Sequence, residues 1–515
     1  MAKPFNFGEI NLIAGEATTS AVPDSETPFC IAILGDFSGR GNRHICDPAN
    51  IATRRAVLVD RDNFDQVMAK IAPEIRLPLG GKDGTLSFRF STIDDFHPDQ
   101  IFQRSPMFDR LRDLRSRLSN PETFASTADE LGISARPQSQ PREPERVRPA
   151  APEMTGLASG SLLDAMIETS ESAAPTTRRQ RRDEVQEFAR RVSESTAIAA
   201  ADPRQPEVVA MIDRAISGQM RALLHVPDFQ ALEAAWRALF LMVRRVETSS
   251  LLKLYLIDVS REELAADLTS SSDLRATGTY KLLVERSVRT PGAEPWTLLV
   301  GNYIFGPQRE DVELLGKLAK VASAAGAPLI AGASPRLLGC SSFAVTLEPR
   351  NWKLAAEHAD SWAALRGLRE SSSLGLVLPR FLLRLPYGNK TDRIESFDFE
   401  EMAETPAHED YLWGNSAFVC GVLLAQSFSQ EEWEMRPGSI SEMDRLPLHA
   451  YECDGEQNLK PCAEALLTEY AAEQMLENGF MPLASLKGRD AVRLVRFQSI
   501  AAPLRALAGR WAFVH

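Results

Sequence analysis

The sequence predicts an α/β fold, because apolar segments of strand length alternate with segments of helical period. The clearest observation is the order of residues 297–305, 311–326 and 328–333, which form an apolar run, an amphipathic stretch and a second apolar run. Another apolar run at 251–259 is also followed by a helix-like stretch. Strand, helix and strand in this order make a βαβ unit, so we expect mixed sheets with a parallel strand pair and packed helices.

The N-terminal part shows the same alternation on a smaller scale. Residues 29–34 (FCIAIL) and 86–90 (LSFRF) are typical of strands. Between them, four apolar residues recur at helical spacing before Pro73 ends the run. They are Phe64, Val67, Met68 and Ile71. This order predicts a small α/β domain.

After residue 160 the predicted elements are longer. Six apolar residues form one stripe of a buried helix. They are Phe229, Leu232, Trp236, Leu239, Phe240 and Val243. Ser260 and Glu263 have the spacing of a capping box, so a helix should begin there. Residues 379–386 alternate like a strand between two prolines, and residues 412–428 are almost continuously apolar, as in a buried helix.

The composition is that of an ordinary folded protein. The chain has 515 residues, 44% apolar and 25% charged, which is enough for two or more cores. Its formal net charge of −12 argues against a general nucleic-acid-binding surface. Six scattered cysteines predict free thiols in a reducing compartment. Without a signal-like N-terminus or a long apolar segment, we expect a cytoplasmic protein.

Residues 134–155 predict an extended linker, because they are rich in Pro, Arg and Glu and have no hydrophobic periodicity. A second polar stretch at 170–182 contains four arginines and is typical of a solvated helix start or loop. We assign that stretch no ligand.

The best candidate for nucleotide binding is the glycine-rich turn after the first predicted strand, where backbone N–H groups are able to face a phosphate. Its glycines are Gly35, Gly39 and Gly41. A P-loop requires a Lys followed by Ser or Thr at the start of a helix, whereas Asn42 and Arg43 stand here. The pattern therefore favours a plain turn.

Ser334 follows an apolar strand as the nucleophile of a hydrolase does. The nucleophile elbow needs a glycine two residues after the serine, and Arg336 occupies that position. His225 and His449 are the possible bases, but no local pattern ties either to a nucleophile. We interpret both histidines as structural.

Two pairs of possible metal ligands lack a matching second pair, which argues against zinc. They are His44 with Cys46 and Cys453 with Cys462. Two adjacent carboxylate pairs would serve acid/base chemistry only if burial shifted a pKa. They are Asp94 with Asp95 and Glu400 with Glu401. We expect solvated loop carboxylates in both.

Four motifs before the linker resemble, in order and spacing, the small subunit of the type VI secretion contractile sheath. They are TPFCIAILGDFSG, VDRDNFDQVMAKIAPEIRLPL, LSFRFSTIDDFHPDQI and the Leu/Arg helix that follows. The rest of the chain resembles the large subunit of the same sheath. Its motifs include LLHVPDFQALEAAWRAL, VGNYIFGPQREDVELLGKLAKVASAAGAPLIAGASP, LRESSSLGLVLPRFLLRLPYG, LWGNSAFVCGVLLAQSF and ENGFMPL.

The resemblance implies a phage-tail-sheath-like fold in two parts. Residues 1–132 would form the small-subunit-like domain, 133–160 the flexible linker and 161–515 a large-subunit-like domain that ends earlier than the family's. In the family, stacked rings of the two subunits contract around an inner tube that delivers effectors. We therefore expect no enzyme activity, cofactor or metal, and we expect sheath subunits, the inner tube protein and baseplate components as partners.

Two other functions stay open. The expected early C-terminus and the weakly strand-like N-terminal segment of residues 4–13 also suit a cap, starter or regulatory paralogue, which would bind sheath or baseplate without polymerising. The third hypothesis is an enzyme that uses the glycine-rich turn at 35–41.

A short helix, SLLDAMIE (161–168), carries the one partner-binding site that the resemblance implies. Its apolar face consists of Leu162, Leu163, Met166 and Ile167. In the family the corresponding N-terminal helix of the large subunit is recognised by the hexameric ATPase that recycles contracted sheath. A helix docked on its own core is the alternative.

Overall fold

The computed structural model describes residues 5–10, 23–78, 84–133, 202–288, 290, 292–344 and 348–511. The chain divides into two compact units. One comprises Met1–Phe108 together with Arg214–His515, and the other comprises Asp109–Asp213. The SLLDAMIE helix, most of the predicted linker and the stretch at 170–182 lie outside the described residues.

The first unit is organised around a nine-stranded mixed sheet with the order β11-β15-β14-β8-β7-β6-β1-β5-β2. The strands of the chain are β1 (Phe29–Gly35), β2 (Val57–Val59), β3 (Glu74–Pro78), β4 (Thr85–Arg89), β5 (Leu252–Asp258), β6 (Trp296–Phe305), β7 (Leu329–Ala333), β8 (Leu374–Leu378), β9 (Phe381–Leu382), β10 (Trp413–Gly414), β11 (Glu442–Met443), β12 (His449–Cys453), β13 (Glu456–Lys460), β14 (Phe480–Ser485) and β15 (Val492–Leu494).

The middle of the large sheet is parallel, which confirms the predicted α/β class. The six strands from β14 to β5 run parallel, while the short strands at the two sides pair antiparallel. Every residue of β1, β7 and β8 is buried, because helices cover both faces of such a sheet. Three separate strand pairs are antiparallel: β3 with β4, β9 with β10, and β12 with β13.

The longer helices are α1 (Phe64–Ile71), α2 (Pro98–Arg104), α3 (Asp109–Ser119), α4 (Pro121–Glu130), α5 (Gln205–Leu224), α6 (Pro227–Arg245), α7 (Arg261–Thr269), α8 (Arg309–Ala325), α9 (Ala356–Arg366), α10 (Ala417–Glu431) and α11 (Glu469–Glu477). A further helical segment joins Gly278–Tyr280, a π-helical turn at Lys281–Glu285 and Arg286–Val288. Among the described residues, no helix combines the length and apolarity needed to cross a membrane.

The predicted βαβ unit is confirmed as β6, α8 and β7. Helix α8 ends at Gly326, whose φ of +66° is the left-handed conformation that glycine adopts at low cost. The capping box is also confirmed, since the Ser260 side chain accepts from the Glu263 N–H and the Glu263 carboxylate from the Ser260 N–H. Helix α10 is buried along most of its length, as its continuous apolar run predicted.

The predicted strand at 379–386 is wrong in its extent, because only Phe381 and Leu382 are in β9. Both are fully buried, so the chain does not alternate between an inner and an outer face. Two residues later, the Arg384 guanidinium turns inward to buried carboxylates instead of continuing the strand.

The segment 5–10 does not form a strand either. It makes one isolated bridge, from Glu9 to Asp273, and the Phe7 ring fills the space above Gly316 on α8. The bond from the Glu9 N–H to the Ser272 carbonyl is 2.8 Å long. Residues 5–10 are therefore paired with their own chain.

The second unit has a small core of its own. Leu118, Phe124, Ala128 and Val208 are buried together, from α3, α4 and α5. The Arg115 guanidinium also pairs with the Asp213 carboxylate at 2.6 Å.

Candidate functional site

The feature of the fold that bears most on function is the position of β1 within the large sheet. Ile31, at its third position, lies opposite Leu254 of β5 on one side and Leu298 of β6 on the other. The six side chains from Phe29 to Leu34 are at most 2% exposed. A strand from the first 35 residues therefore completes a sheet whose other long strands all come after residue 250.

Two tryptophans hold the ends of β1. The Trp236 indole N–H donates to the Phe37 carbonyl at 2.8 Å, just after the strand. The Trp433 indole N–H donates to the Thr27 carbonyl at 2.8 Å, just before it. Both bonds reach residues far away in sequence, so they attach β1 to α6 and to the end of α10. Sequence analysis placed Trp236 in an apolar stripe but did not identify this hydrogen bond.

In the glycine-rich turn after β1, carboxylates already bind the amides that would face a phosphate. Asp36 accepts from the Arg40 and Gly41 N–H groups at 2.8 and 2.7 Å. Burial raises the pKa of Asp36. Gly39 has a φ of +75°, and a Cβ there would meet the Glu74 carbonyl oxygen. The structure thus has the plain turn that the spacing favoured.

Asp258, at the end of β5, binds the same turn. One of its carboxylate oxygens accepts from the Phe37 and Ser38 N–H groups at 2.9 and 3.0 Å. The other accepts from the Ser38 hydroxyl at 2.7 Å and the Arg40 Nε at 2.9 Å. These four residues therefore join the carboxyl ends of β1 and β5.

Glu263 extends this junction to the start of α7. Its carboxylate is fully buried and pairs with Arg54, with Nη1 to Oε2 at 2.7 Å. It also accepts from the Asp47 N–H at 3.0 Å. Burial raises the pKa of such a carboxyl, but the Arg54 bonds and backbone N–H groups outweigh it and lower the pKa.

A buried ion cluster lies under the segment after β9. The Arg384 Nε is 2.9 Å from Glu233 Oε1, and its Nη1 is 2.7 Å from Glu401 Oε2. The two carboxylate side chains are 0% and 1% exposed. Arg237 pairs with Glu233 at 2.6 Å and donates to the Tyr387 hydroxyl at 2.9 Å. The cluster joins α6 to residues 384–401 through charge-assisted bonds.

Burial raises the pKa of Glu401, but the Arg384 charge and the hydrogen bonds from Arg384 and the Tyr387 N–H overcome this effect and lower the pKa to about 2. Burial raises the pKa of Tyr387 to about 12. Both groups therefore keep one protonation state near neutral pH. These two side chains therefore hold the fold together and do not serve as an acid or a base there.

The expectation that both carboxylate pairs are solvated is wrong for one member of each. Glu401 is buried in the ion cluster, while Glu400 is exposed. Asp95 is 7% exposed, because it forms a capping box with Thr92 and pairs with Arg104. Sequence analysis did not identify the ion cluster. The pattern that indicates it is a charged residue within an apolar run, as at Glu233 and Arg384.

The other candidates for chemistry are not brought together. Ser334 caps a short 3₁₀ helix, where its hydroxyl accepts from the Arg336 N–H at 3.3 Å. His225 Nδ1 is 3.4 Å from Asp410, and His449 Nδ1 is 2.9 Å from the Tyr411 hydroxyl. Within the described ranges, no hydrogen bond joins Ser334 to either histidine.

The structure leaves the remaining site residues apart. All six cysteines have free thiols. In the part of the chain that the structure describes, no three His, Cys, Asp or Glu side chains are grouped so as to hold a metal ion. The predicted ATPase-binding residues Leu162, Leu163, Met166 and Ile167 lie outside the described residues.

Comparison with known proteins gives a match to each of two regions of the chain. Residues 206–501 match the family model of VipB (EvpB), tail sheath N-terminal domain, and residues 10–131 match that of type VI secretion system VipA. The type VI secretion system sheath protein TssC1 of Pseudomonas aeruginosa is 34% identical over 330 residues, which is 62% of this chain and 66% of TssC1.

A second curated relative matches the first part of the chain. The sheath protein TssB1 of the same bacterium is 25% identical over 105 residues, which is 19% of this chain and 59% of TssB1. The chain thus spans just under two thirds of the length of TssC1 and less of TssB1. It belongs to the type VI secretion sheath family, with a VipA-like region and a VipB tail sheath domain in one polypeptide.

Proposed function

We propose that this chain is a structural component of a type VI contractile sheath, which packs with other sheath subunits around an inner tube for effector delivery. The observation that carries the proposal is β1. The VipA-like residues supply a central strand to the sheet of the VipB-like region, so the two regions behave as one subunit. The linker fixes their ratio at one to one and raises their effective concentration.

The proposed mechanism is mechanical. Extended sheath is a metastable packing, and contraction moves each subunit as a body into an arrangement with more favourable contacts. A subunit that transmits force must not come apart at its internal junctions. The tryptophan bonds at both ends of β1 and the buried Arg384 cluster supply that rigidity. No bond is made or broken in this function.

The proposed organisation follows the sequence: a small-subunit-like domain at 1–132, a flexible linker at 133–160 and a large-subunit-like domain from 161 to 515. The proposed partners are sheath subunits, the inner tube protein and baseplate components. The proposed location is the cytoplasm, where such a sheath assembles.

Sedimentation of isolated sheaths tests the proposal. The chain, carrying an epitope tag, is expressed in cells that make a type VI sheath, and sheaths are pelleted by ultracentrifugation. We expect the chain to be in the pellet, because it is part of the tubes along their whole length. Ile31→Asp should remove it from the pellet, while Leu58→Asp, at a 44% exposed position of β2, should not. A chain that stays wholly in the supernatant contradicts the proposal.

Immunogold labelling of the same sheaths separates the alternative function. Label confined to one end of each tube would identify a cap, starter or regulatory paralogue that binds sheath or baseplate without polymerising. Label at regular intervals along the tube supports the structural subunit.

We also propose that the SLLDAMIE helix binds the hexameric recycling ATPase through Leu162, Leu163, Met166 and Ile167. Leu163→Asp should reduce capture of the ATPase by about tenfold, since it places a charge in an apolar contact. Asp164→Asn, on another face of the same helix, is the control. Unchanged capture by Leu163→Asp, with the circular dichroism spectrum of the parent, would show that this helix is not the recognition element.

A further inference from the structure

A cavity of about 360 Å³ lies beside the edge of the large sheet, away from the ion cluster. Arg55 and Ala56, directly before the edge strand β2, line one side of it. Arg286, from the helical segment 278–288, lines another, and Trp296 at the start of β6 lines a third. None of their side chains takes part in the Asp258 and Glu263 contacts after β1 or in the Arg384 cluster.

Trp296, Arg55 and Arg286 give this cavity donors that the described residues do not fully use. Trp296 is 7% exposed, and its indole N–H has no hydrogen-bond acceptor among the described residues. An unsatisfied buried donor of this kind costs free energy unless a ligand supplies the acceptor. The exposed Arg55 and Arg286 form no ion pair within the described ranges, and Arg286 donates only to the Arg54 carbonyl, at 2.9 Å.

The acceptors and the remaining cation of the cavity are already paired. The Glu294 carboxylate accepts from the Lys253 ammonium and from the Tyr255 hydroxyl at 3.0 Å. The Arg54 guanidinium is bound to Glu263. The charge available to a ligand is therefore positive, from Arg55 and Arg286, and the free hydrogen-bonding groups are N–H donors.

Another cleft, of about 470 Å³ between α6 and β10, differs in this respect. Its one arginine, Arg380, is held by Glu464 at 2.6 Å and by Glu409 at 3.2 Å. That cleft has no unpaired cation for a ligand among its described residues.

We propose that the cavity at Trp296 binds a carboxylate carried by an acidic side chain of a peptide segment from a neighbouring protein. Guanidinium groups and an indole N–H are the donors that suit the acceptor oxygens of a carboxylate, and all three side chains line this cavity. The Tyr255 ring, 5.3 Å from Trp296 between centroids, and Leu282 provide apolar contacts for the aliphatic stem.

Charge and position favour a peptide carboxylate over a phosphate. The Glu294 carboxylate also lines the cavity, and it repels a doubly charged phosphate more than a singly charged carboxylate. The cavity adjoins β2, the edge strand of the sheet, where a passing peptide finds unpaired backbone groups. This inference goes beyond the sheath assignment and does not depend on it.

Fluorine NMR of the full chain, labelled with 5-fluorotryptophan, tests the proposal. Trp296→Phe assigns the Trp296 resonance. The probes are N-acetyl-Ala-Glu-Ala-amide, its Gln counterpart, succinate and inorganic phosphate. We expect a saturable shift of the Trp296 resonance with the Glu peptide alone. Arg55→Gln and Arg286→Gln should each weaken binding by about tenfold, since each removes a charged hydrogen bond.

Arg496→Gln is the matched control, since Arg496 is also exposed and follows β15 on the other side of the sheet. Its binding of the Glu peptide should equal that of the parent. An equal shift with the Gln peptide, or no shift with any probe at millimolar concentration, overturns the proposal. Binding of succinate or phosphate without binding of the Glu peptide overturns the peptide assignment and identifies a site for free anions.

Discussion

At the scale of single residues, changes to the buried charges of the Arg384 cluster should have the largest effects on stability. Arg384 is 10% exposed and faces two carboxylates that are essentially inaccessible to water. Removing a charge from water costs several kcal/mol, and only a complete set of partners offsets that cost. Each partner is therefore needed by the others, and a change at one leaves an uncompensated charge.

Glu401→Gln should lower the free energy of unfolding by about 3 kcal/mol, because it leaves Arg384 with one carboxylate in place of two. Urea unfolding followed by circular dichroism measures the change. Glu400→Gln is the control, since that carboxylate is exposed and the loss should be within about 0.5 kcal/mol. Equal losses in the two variants would contradict the role assigned to the cluster.

Two buried carboxyls should make the fold sensitive to acid. Burial raises the pKa values of Glu401 and Glu464, but their arginine and histidine partners lower both from 4.5 to about 2. Between pH 4.5 and about pH 2, the unfolded chain binds more protons at these two carboxyls than the folded chain does. Their contribution to stability is therefore present above pH 4.5 and is lost as the pH falls toward 2. Each group contributes about 3 kcal/mol.

The urea midpoint should therefore decrease markedly between about pH 6 and about pH 3. The Glu401→Gln variant should show a smaller decrease than the parent, because it has lost one of the two groups. An unchanged midpoint in the parent across this range would mean that neither carboxylate is paired as described.

At the scale of elements, β1 is the strand that most depends on distant partners. Its apolar sequence is ordinary, and its position comes from β5 and β6 on either side and from the tryptophans at its ends. The turn after it is equally dependent, since Asp258 of β5 binds the Phe37 and Ser38 N–H groups.

Trp236→Phe should destabilise the protein by about 2 kcal/mol, because it leaves the buried Phe37 carbonyl without its donor. Trp433→Phe removes the corresponding bond to Thr27, whose carbonyl belongs to a partly exposed residue. Water is able to replace the donor there, so its loss should be smaller. Thermal unfolding of both variants measures the difference, and the reverse order of effects would contradict this account.

At the scale of the whole molecule, the VipA-like and VipB-like regions share one sheet. We predict that the halves stay together after the chain is cut at a protease site inserted between Ser134 and Met154. The interior position of β1 provides the affinity, because its release exposes seven buried residues and opens two strand pairs. Gel filtration at micromolar concentration measures the outcome.

Ile31→Asp should separate the cut halves, while Leu58→Asp, at an exposed edge position, should leave them joined. If the halves of the parent chain elute separately, the interior strand does not hold the two regions together.

The sequence alone determined the α/β class, the βαβ unit, the Ser260 capping box, the buried α10 and the sheath resemblance, because each depends on local periodicity or on motif order. It missed the short β2 and β3 and overextended β9, since short strands are defined by their pairing. It also gave no order of strands, so β1 was assigned to a small domain of its own. Only the tertiary structure placed β1 between β5 and β6, buried Glu401 beside Arg384 and left the Trp296 N–H without an acceptor among the described residues. Those facts depend on which distant residues meet, and a carboxylate beside a turn has the same sequence pattern whether a guanidinium or water faces it.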